Sequence, residues 1–575
     1  MRKGFIYSIL RKNLSLLLSI ILLSLMVAFI NIYFRNMERY LIDFVLAKNL
    51  EGFKRVFLTV LLISIVRIFL EYVKAFNLGK FAEKYMNELR LDIGKKLTKV
   101  NLEFIEKRAT GDFISNLSND LSLIQNFLNS SLGDIFYQPF VFIFGVILAF
   151  QISWKLTLFT FVIIPICIYL SIIISKPVEK YTKKQQDEYG NVNTLVQDTL
   201  SGITVIKAFN LKSEMVSLFD EKIKRAFKEG LRSARFEVIL DPMKEIISLS
   251  PFIMMFLFGG RLVISGEISV GGIMAFIGLI NIFIAPMNVL PNIINSYRKA
   301  KAALERIWEI LSTEEERSGI INEYDPDCPY VVEFENVSFS YDGADYILKD
   351  VSFKIKKGEK VAIVGESGGG KSTIVKLILG LYKPTKGHIK VLGIDINEWN
   401  LSSLRGRISV ANQDVYLFPE SVEENIRYGN YNVDNKKIEE VSKKVLAYDF
   451  IISDLGGFDK EIGERALKIS GGERQRIALA RFLLKEADIF IMDEATSALD
   501  SDTEAQIQET LFEELKDKTL IVIAHRYSSI KFVDRILVIE DGKIVEDGTH
   551  EYLLKKKGVY YKLYSKQLGE VELGV

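Results

Sequence analysis

A chain of 575 residues that is 49% hydrophobic, with mean hydropathy +0.17, is too long for one domain and too apolar for an ordinary soluble protein. Its two cysteines, Cys167 and Cys328, exclude a disulfide framework or a cysteine metal site, so redox chemistry has no support. The net charge of +1, with aromatics that do not alternate with basic residues, argues against nucleic acid as a partner.

Up to about residue 300 the apolar residues fall into long runs; beyond it they form short segments broken by charge. The chain therefore divides into an α-helical membrane domain over 1–311, a linker over 312–331 and an α/β P-loop domain over 332–575. Six stretches approach the roughly 20 residues that cross a hydrocarbon core. They are 14–34, 56–76, 132–151, 154–175, 246–265 and 271–290. An even count puts both termini on one side. Arg2, Lys3, Arg11 and Lys12, ahead of a first span with no cleavage site behind it, put that side in the cytosol of a cell membrane. The basic residues of the 35–55 connection oppose that orientation without reversing it.

The connections 77–131 and 176–245 are long, polar and rich in Lys and Arg, and they fall on the cytosolic side. Apolar residues at i, i+3 and i+4 within Phe81–Leu102 and Val192–Phe209 predict that spans two to five continue as helices far beyond the bilayer. About 25 further residues would carry each nearly 40 Å out. The reversals are expected at Gly111-Asp112-Phe113 and Asn210-Leu211-Lys212.

Charge inside the spans is costly unless paired or wet. Span two carries Arg67, Glu71 and Lys74, the first two on one helix face, and span five carries Arg261. Arg67, Glu71 and Arg261 are candidates for a polar substrate pathway, and an internal ion pair that fixes helix register is the other reading. Asn281, Asn288, Asn292 and Asn295 of span six, with Pro286 and Pro291 between them, read as partners for freed backbone carbonyls, with contact to a ligand as the other reading.

In the second domain, Val331–Phe339 alternates and leads through Tyr341 into an Asp342-Gly343 turn, so Tyr341 is placed either to pack or to support a base. Val361–Val364 is an apolar strand. It runs into Gly365-Glu366-Ser367-Gly368-Gly369-Gly370-Lys371-Ser372-Thr373, and Ile374–Leu379 follows with helical spacing. Strand, glycine loop and helix form the phosphate cradle of the P-loop pattern. Lys371 would reach the β and γ phosphates, Ser372 would face Mg²⁺, and Thr373 would lie beside the α and β phosphates. Ser470-Gly471-Gly472 opens another helix and makes a second candidate anion site, which a second copy of the chain would use. Ile489–Met492 is a strand buried on both faces that ends in Asp493 and Glu494. The first acid suits hydrated Mg²⁺ and the second an attacking water. Thr519–Ala524 is another buried strand and ends at His525, a residue for packing or for sensing the γ phosphate.

Taken in order, these residues resemble the ATP-binding cassette exporters from end to end. Tyr341 corresponds to the aromatic loop, Gly365 to Ser372 to Walker A, and Gln413 to the Q-loop. Ser470-Gly471-Gly472-Glu473 corresponds to the signature, Asp493 and Glu494 to Walker B with its catalytic glutamate, Asp500 to the D-loop and His525 to the switch histidine. Gly111–Ser115 and Ser201–Phe209 are similar to the family's stalk segments. Ile469 and Glu473 depart from its commonest residues and leave the serine hydroxyl and glycine amides in place.

The resemblance implies a half-transporter that works as a dimer, most simply of identical chains, with each ATP between Walker A of one and the signature of the other. It implies Glu494, His525 and Gln413 at the catalytic centre, and Mg²⁺ on Ser372, Gln413 and Asp493. It also implies ATP-driven export of a drug or lipid by alternating access. A peptide exporter, half of a heterodimer, or a nucleotide-gated membrane subunit are the alternatives. The lack of a peptidase domain ahead of span one speaks against leader-bearing peptides.

Overall fold

The computed structural model describes residues 13–106, 110–316, 318–463, 469–524 and 530–572. The chain forms two compact units, one of residues 1–97 and 111–312, the other of residues 98–110 and 313–575.

The first unit is helical. Its helices are α1 (Leu14–Leu46), α2 (Leu50–Leu97), α4 (Thr110–Asn126), α5 (Leu132–Ile152), α6 (Trp154–Ser201), α7 (Ile203–Ala208), α8 (Lys212–Ile264) and α9 (Val270–Ser312), while α3 (Leu102–Glu106) packs with the second unit. Among the described residues five helices are long and apolar enough to cross a membrane: α1, α2, the run Phe113–Ile152, α8 and α9. The expected fourth span, 154–175, falls within α6, a continuous helix over Trp154–Ser201. The most apolar window of α2 is entirely unburied, with Leu62, Ile68 and Phe69 each more than 60% exposed. Such a belt is stable against lipid or another membrane-embedded surface rather than against water. Further along the same helix Leu78, Phe81, Ala82, Tyr85, Met86, Leu89 and Ile93 are buried at helical spacing, against Leu17 and Ile20 of α1 and Ala300, Ala303 and Ile307 of α9. Between α4 and α5 the helix widens into one π-helical turn, Phe127–Ser131.

α6 and α8, of 48 and 53 residues, run antiparallel and pack chiefly on each other. Their register is fixed by Cys167 Sγ against Ser250 Oγ at 3.0 Å, by the stacked rings of Tyr181 and Phe236 at 5.2 Å, and by the Thr182 and Ser233 hydroxyls at 2.9 Å. Pro165 and Pro177 lie inside α6, and Pro242 and Pro251 inside α8. The register sets Pro165 level with Pro251, and Pro177 within a turn of Pro242. The reversal between α7 and α8 uses Asn210 with φ +54°, a left-handed conformation that asparagine tolerates. The other reversal differs from expectation. Gly111, Asp112 and Phe113 lie inside α4, whose first turn accommodates glycine, and the chain turns before them, over residues 98–106.

The second unit holds two sheets. Strands β1 (Tyr330–Phe339), β2 (Leu348–Lys356), β4 (Lys386–Val391) and β5 (Ile394–Asp395) form an antiparallel sheet in the order β2-β1-β4-β5. Strands β3 (Lys360–Gly365), β6 (Ile408–Ala411), β7 (Ile489–Asp493), β8 (Thr519–Ile523), β9 (Arg535–Glu540) and β10 (Lys543–Gly548) form the other, in the order β10-β9-β3-β8-β7-β6. All neighbours in that sheet are parallel except β9 and β10. Alternation sends Ala362, Val364, Phe490 and Met492 into the core on one face and Val361, Ile363, Ile489 and Ile491 into the core on the other. The first core includes α15 (Gly471–Leu484) and α16 (Ser501–Glu514), numbered after the intervening helices α10 (Lys371–Ile378), α11 (Leu401–Gly406), α12 (Val422–Arg427), α13 (Asn435–Lys444) and α14 (Tyr448–Ser453). The second core includes α10 and the antiparallel sheet. α17 (His550–Lys556) and α18 (Val559–Glu572) close the chain.

Candidate functional site

β3 delivers the glycine loop at the carboxyl end of a parallel sheet, and α10 leaves it at Lys371. Gly368 and Gly370 have φ of +81° and +98°, a region costly for any residue with a side chain. A Cβ on Gly365 would stand 2.3 Å from the Ile539 carbonyl oxygen, so the strand end has no room for one. Lys371 is 5% exposed, and its ammonium donates to the carbonyls of Gly365 and Glu366, both at 2.8 Å. Burial pushes its pKa below the ordinary lysine range, while the Glu494 and Asp493 carboxylates pull it back. Ser372 is exposed in the first turn of α10. Glu366, Ser367 and Gly369 complete the loop, with the Gly369 amide donating to the Glu366 carbonyl at 3.2 Å.

Asp493 is the buried last residue of β7. Glu494, the next residue, has φ +49° and accepts a hydrogen bond from Gln413 Nε2 at 2.9 Å. A glutamate in left-handed backbone at a strand end is strained, and strain of that kind collects where a side chain must be aimed. His525 lies outside the described residues.

Tyr341 donates to or accepts from Thr373 Oγ1 at 3.2 Å, and its ring meets Tyr382 edge-on at 5.0 Å. It lines a polar cavity of about 460 Å³ with Ser340, Asp342, Tyr382 and Lys383. Lys376 stands over both rings, 5.4 and 5.6 Å from their centroids. Sequence reasoning did not single out Lys376 or Tyr382; their only signal was proximity to the loop.

Ser470 caps α15 through a reciprocal box. The Glu473 amide donates to Ser470 Oγ at 3.3 Å, and the Ser470 amide donates to Glu473 Oε2 at 2.8 Å. Ser470, Gly471 and Gly472 line a cavity of about 450 Å³ together with Ala498, Leu499 and Asp500, and no glycine-loop residue is in its lining. Asp500 caps α16 by accepting from the Thr503 amide at 3.0 Å, a bond that holds its carboxyl below the usual range. Gln475 was also missed from sequence. It is buried, donates to Ser497 Oγ at 3.3 Å and accepts from the Ala498 amide at 2.9 Å, so it ties the start of α15 to the 497–500 turn. Glu504 holds the same turn from behind, accepting from Thr496 Oγ1 at 3.0 Å and Gln508 Nε2 at 2.9 Å.

In the first unit, Arg67 Nε and Glu71 Oε1 pair at 3.3 Å. Lys74 lies 4.5 Å from the Tyr137 ring, whose hydroxyl accepts from Asn31 at 2.8 Å. Arg261 is exposed on α8.

The family description for the ABC transporter transmembrane region matches residues 17–287, and that for the ABC transporter cassette matches residues 348–497. A protein of Syntrophus aciditrophicus named as an ATP-dependent lipid A-core flippase is 33% identical over 92% of this chain and 88% of its own. A second protein of that name, from Haemophilus influenzae, is 34% identical over 88% and 86%. A Staphylococcus aureus protein whose name assigns it to multidrug export as an ATP-binding/permease protein is 32% identical over 88% and 87%. The chain belongs to the ATP-binding cassette transporters and is an exporter-type half-transporter, with one transmembrane region and one cassette. It is a multi-pass membrane protein that binds ATP and couples its hydrolysis to transport.

Proposed function

We propose that two copies of this chain form an exporter of amphipathic lipids or drugs in the cell membrane, with six spans per copy and with both termini and the cassettes in the cytosol. Each ATP is held between the glycine loop of one copy and Ser470–Gly472 of the other. The observation that carries this reading is the separation of two anion cradles in one chain, the glycine loop and the Ser470 cavity, each lined by its own residues.

In this reading the Gly365–Gly370 amides and Lys371 bind the β and γ phosphates, and Tyr341 supports the adenine. Ser372, Gln413 and Asp493 would hold Mg²⁺: a hydroxyl, an amide carbonyl and a carboxylate are the hard oxygen donors that ion takes. Bound there, it would offset the phosphate charge. Glu494, aimed by its backbone and by Gln413, orients the attacking water and takes its proton. His525 contacts the γ phosphate. The partner's copy of the Ser470 hydroxyl and of the Gly471 and Gly472 amides completes the site, and Asp500 positions the turn beside it. Closure of the cassettes reaches the spans only through the differential affinity of ATP for the closed state. The lipid and multidrug names of the relatives, together with the aromatic and cationic residues that the spans carry, favour an amphipathic cargo.

Co-expression of Lys371→Ala and Gly471→Asp chains tests the shared site. Alone, each variant hydrolyses no ATP. Together they recover activity, to roughly a quarter of wild type, because random pairing gives half the dimers one intact site. No recovery from folded, mixed dimers would reject the arrangement. Stimulation of ATPase by a panel of lipids, drugs and peptides in liposomes then identifies the cargo class.

A further inference from the structure

α10 carries groups for both ends of a nucleotide. Lys371 and Thr373 stand in its first turn, at the glycine loop, and Lys376 stands in its last. The helix then stops in a Schellman turn: Gly380 has φ +62°, its amide donates to the Leu377 carbonyl at 3.0 Å, and the Leu381 amide donates to the Lys376 carbonyl at 3.0 Å. That reversal brings Tyr382 back beside Lys376. Tyr382 is 8% exposed, so its ring belongs to the core.

Three rings close on one another there. Tyr382 meets Tyr341 at 5.0 Å and 90°, Phe339 meets Tyr341 at 4.8 Å and 85°, and Phe339 meets Tyr382 at 5.6 Å and 69°. Phe339 and Tyr382 are buried and Tyr341 is half-buried, which makes the first two a footing for the third. Edge-on contacts of this kind set the tilt of a ring, and the bond to Thr373 Oγ1 holds its hydroxyl end. A ring fixed before its ligand arrives loses little freedom on binding, so it stacks more tightly without any new contact.

The footing is itself pinned by a carboxylate. Glu106 of α3 accepts from the Tyr382 hydroxyl at 2.5 Å and pairs with Lys376 at 3.0 Å, and all of these residues lie in the second unit. We infer that Tyr382, pinned by Glu106, is a positioning residue for the nucleotide base: it holds Tyr341 at the tilt at which the adenine stacks. Both residues act through Tyr341. The inference rests on the adenine role given to Tyr341 above, and it adds that base affinity is set by a carboxylate outside the nucleotide-binding motifs.

The test measures kcat and KM for ATP on the full chain in liposomes. Tyr341→Ala should raise KM roughly tenfold, the loss of one base–aromatic stack. Glu106→Ala should raise it about three- to tenfold, the worth of one charged bond at a partly exposed site, and keep kcat within about twofold. In the Tyr341→Ala chain the same substitution should change KM by less than about twofold, because a positioning residue has no effect once the ring it positions is gone. Tyr382→Phe keeps the buried ring and loses only the hydroxyl; it should raise KM, and joining it to Glu106→Ala should add less than the product of the two effects.

An equal rise of KM in both backgrounds would show that Glu106 acts elsewhere, and a fall in kcat at unchanged KM would assign it to the hydrolytic step. Either result overturns the inference, as does an unchanged KM in Glu106→Ala. If Tyr341→Ala itself leaves KM unchanged, the adenine role of Tyr341 falls, which separates that failure from failure of the positioning claim. Glu106 is partly exposed, so its truncation leaves the fold intact, and elution as a single species in size-exclusion chromatography checks this.

Discussion

The Glu106 carboxylate accepts a hydrogen bond from the Tyr382 hydroxyl at 2.5 Å and pairs with the Lys376 ammonium at 3.0 Å. Glu106 belongs to the segment that joins two helices of the membrane half, yet it packs in the cassette unit, where the Glu316 amide also donates to the Lys99 carbonyl at 2.8 Å. Its partners stand against Tyr341, so the linking segment and the expected adenine support share neighbours. Glu106→Gln or Tyr382→Phe should therefore raise amide exchange over residues 99–106 by about three- to tenfold, the range of one partly exposed charged hydrogen bond. Mass-resolved hydrogen exchange reads this directly, and unchanged protection would show that the pair holds nothing.

The same contact has a pH signature. Burial alone would raise the Glu106 carboxyl, but the bonds from Tyr382 and Lys376 outweigh it, and the group is held below the ordinary glutamate range. A carboxyl depressed in the folded state contributes fully above the unfolded value and loses its contribution as pH falls through the lowered one. Protection of 99–106 should be flat from neutral pH down to the glutamate range and then decline. In Glu106→Gln the decline should be smaller.

Glu494→Gln should lower ATP turnover by roughly 10²–10⁴-fold while nucleotide affinity is kept, since the amide cannot take a proton. Gln413→Ala removes a hydrogen bond to that carboxylate together with a proposed Mg²⁺ donor, and should cost about tenfold or more in turnover. Phosphate release and fluorescent-nucleotide binding, measured on the same preparation, separate the two effects.

Gln475 holds the 496–500 turn at Ser497 and Ala498, and Glu504 holds it at Thr496. Glu504→Ala removes an acceptor shared by two buried side chains, Thr496 and Gln508, and should destabilise the cassette by about 1–3 kcal/mol, read as a lowered unfolding midpoint. Gln475→Leu should reduce turnover and leave nucleotide binding at the glycine loop unchanged. A parallel loss of binding would contradict a positioning role.

The Arg67 and Glu71 side chains discriminate between the two readings of span two. Exchanging them, Arg67→Glu with Glu71→Arg, preserves an i,i+4 pair of a kind worth roughly 0.2–0.5 kcal/mol on a helix in water. If the pair only fixes register, the exchanged chain should express, elute and transport as wild type does. Loss of transport from a well-folded exchange variant would instead assign the pair to the cargo path.

What could be read in advance was local in sequence. The glycine loop announces itself because strand, turn and helix lie within about twenty residues and each glycine answers to a backbone demand at its own position. The Asp493-Glu494 ending was legible for the same reason, as the end of a strand with both faces buried. The Gln475 tie to Ala498, the Tyr341 contact with Thr373 and the grip of Tyr382 on Glu106 were not legible. Each joins residues separated by 23 to 276 positions, and the composition of one end says nothing about the other. The reversal near residue 100 was displaced for a related reason: glycine marks turns on average, but Gly111 is absorbed by the first turn of a helix whose direction is set by packing.

The paired prolines of α6 and α8 carry a mechanical consequence. Each removes a backbone hydrogen bond from its own rod, and in a lone helix such a notch lets the rod buckle in any direction. Here the notches of the two rods coincide at two heights, so the two-helix arm yields at those heights as one articulated limb, with stiff segments between the joints. Moving one proline of a pair by a full turn should leave the limb folded yet stiffen it.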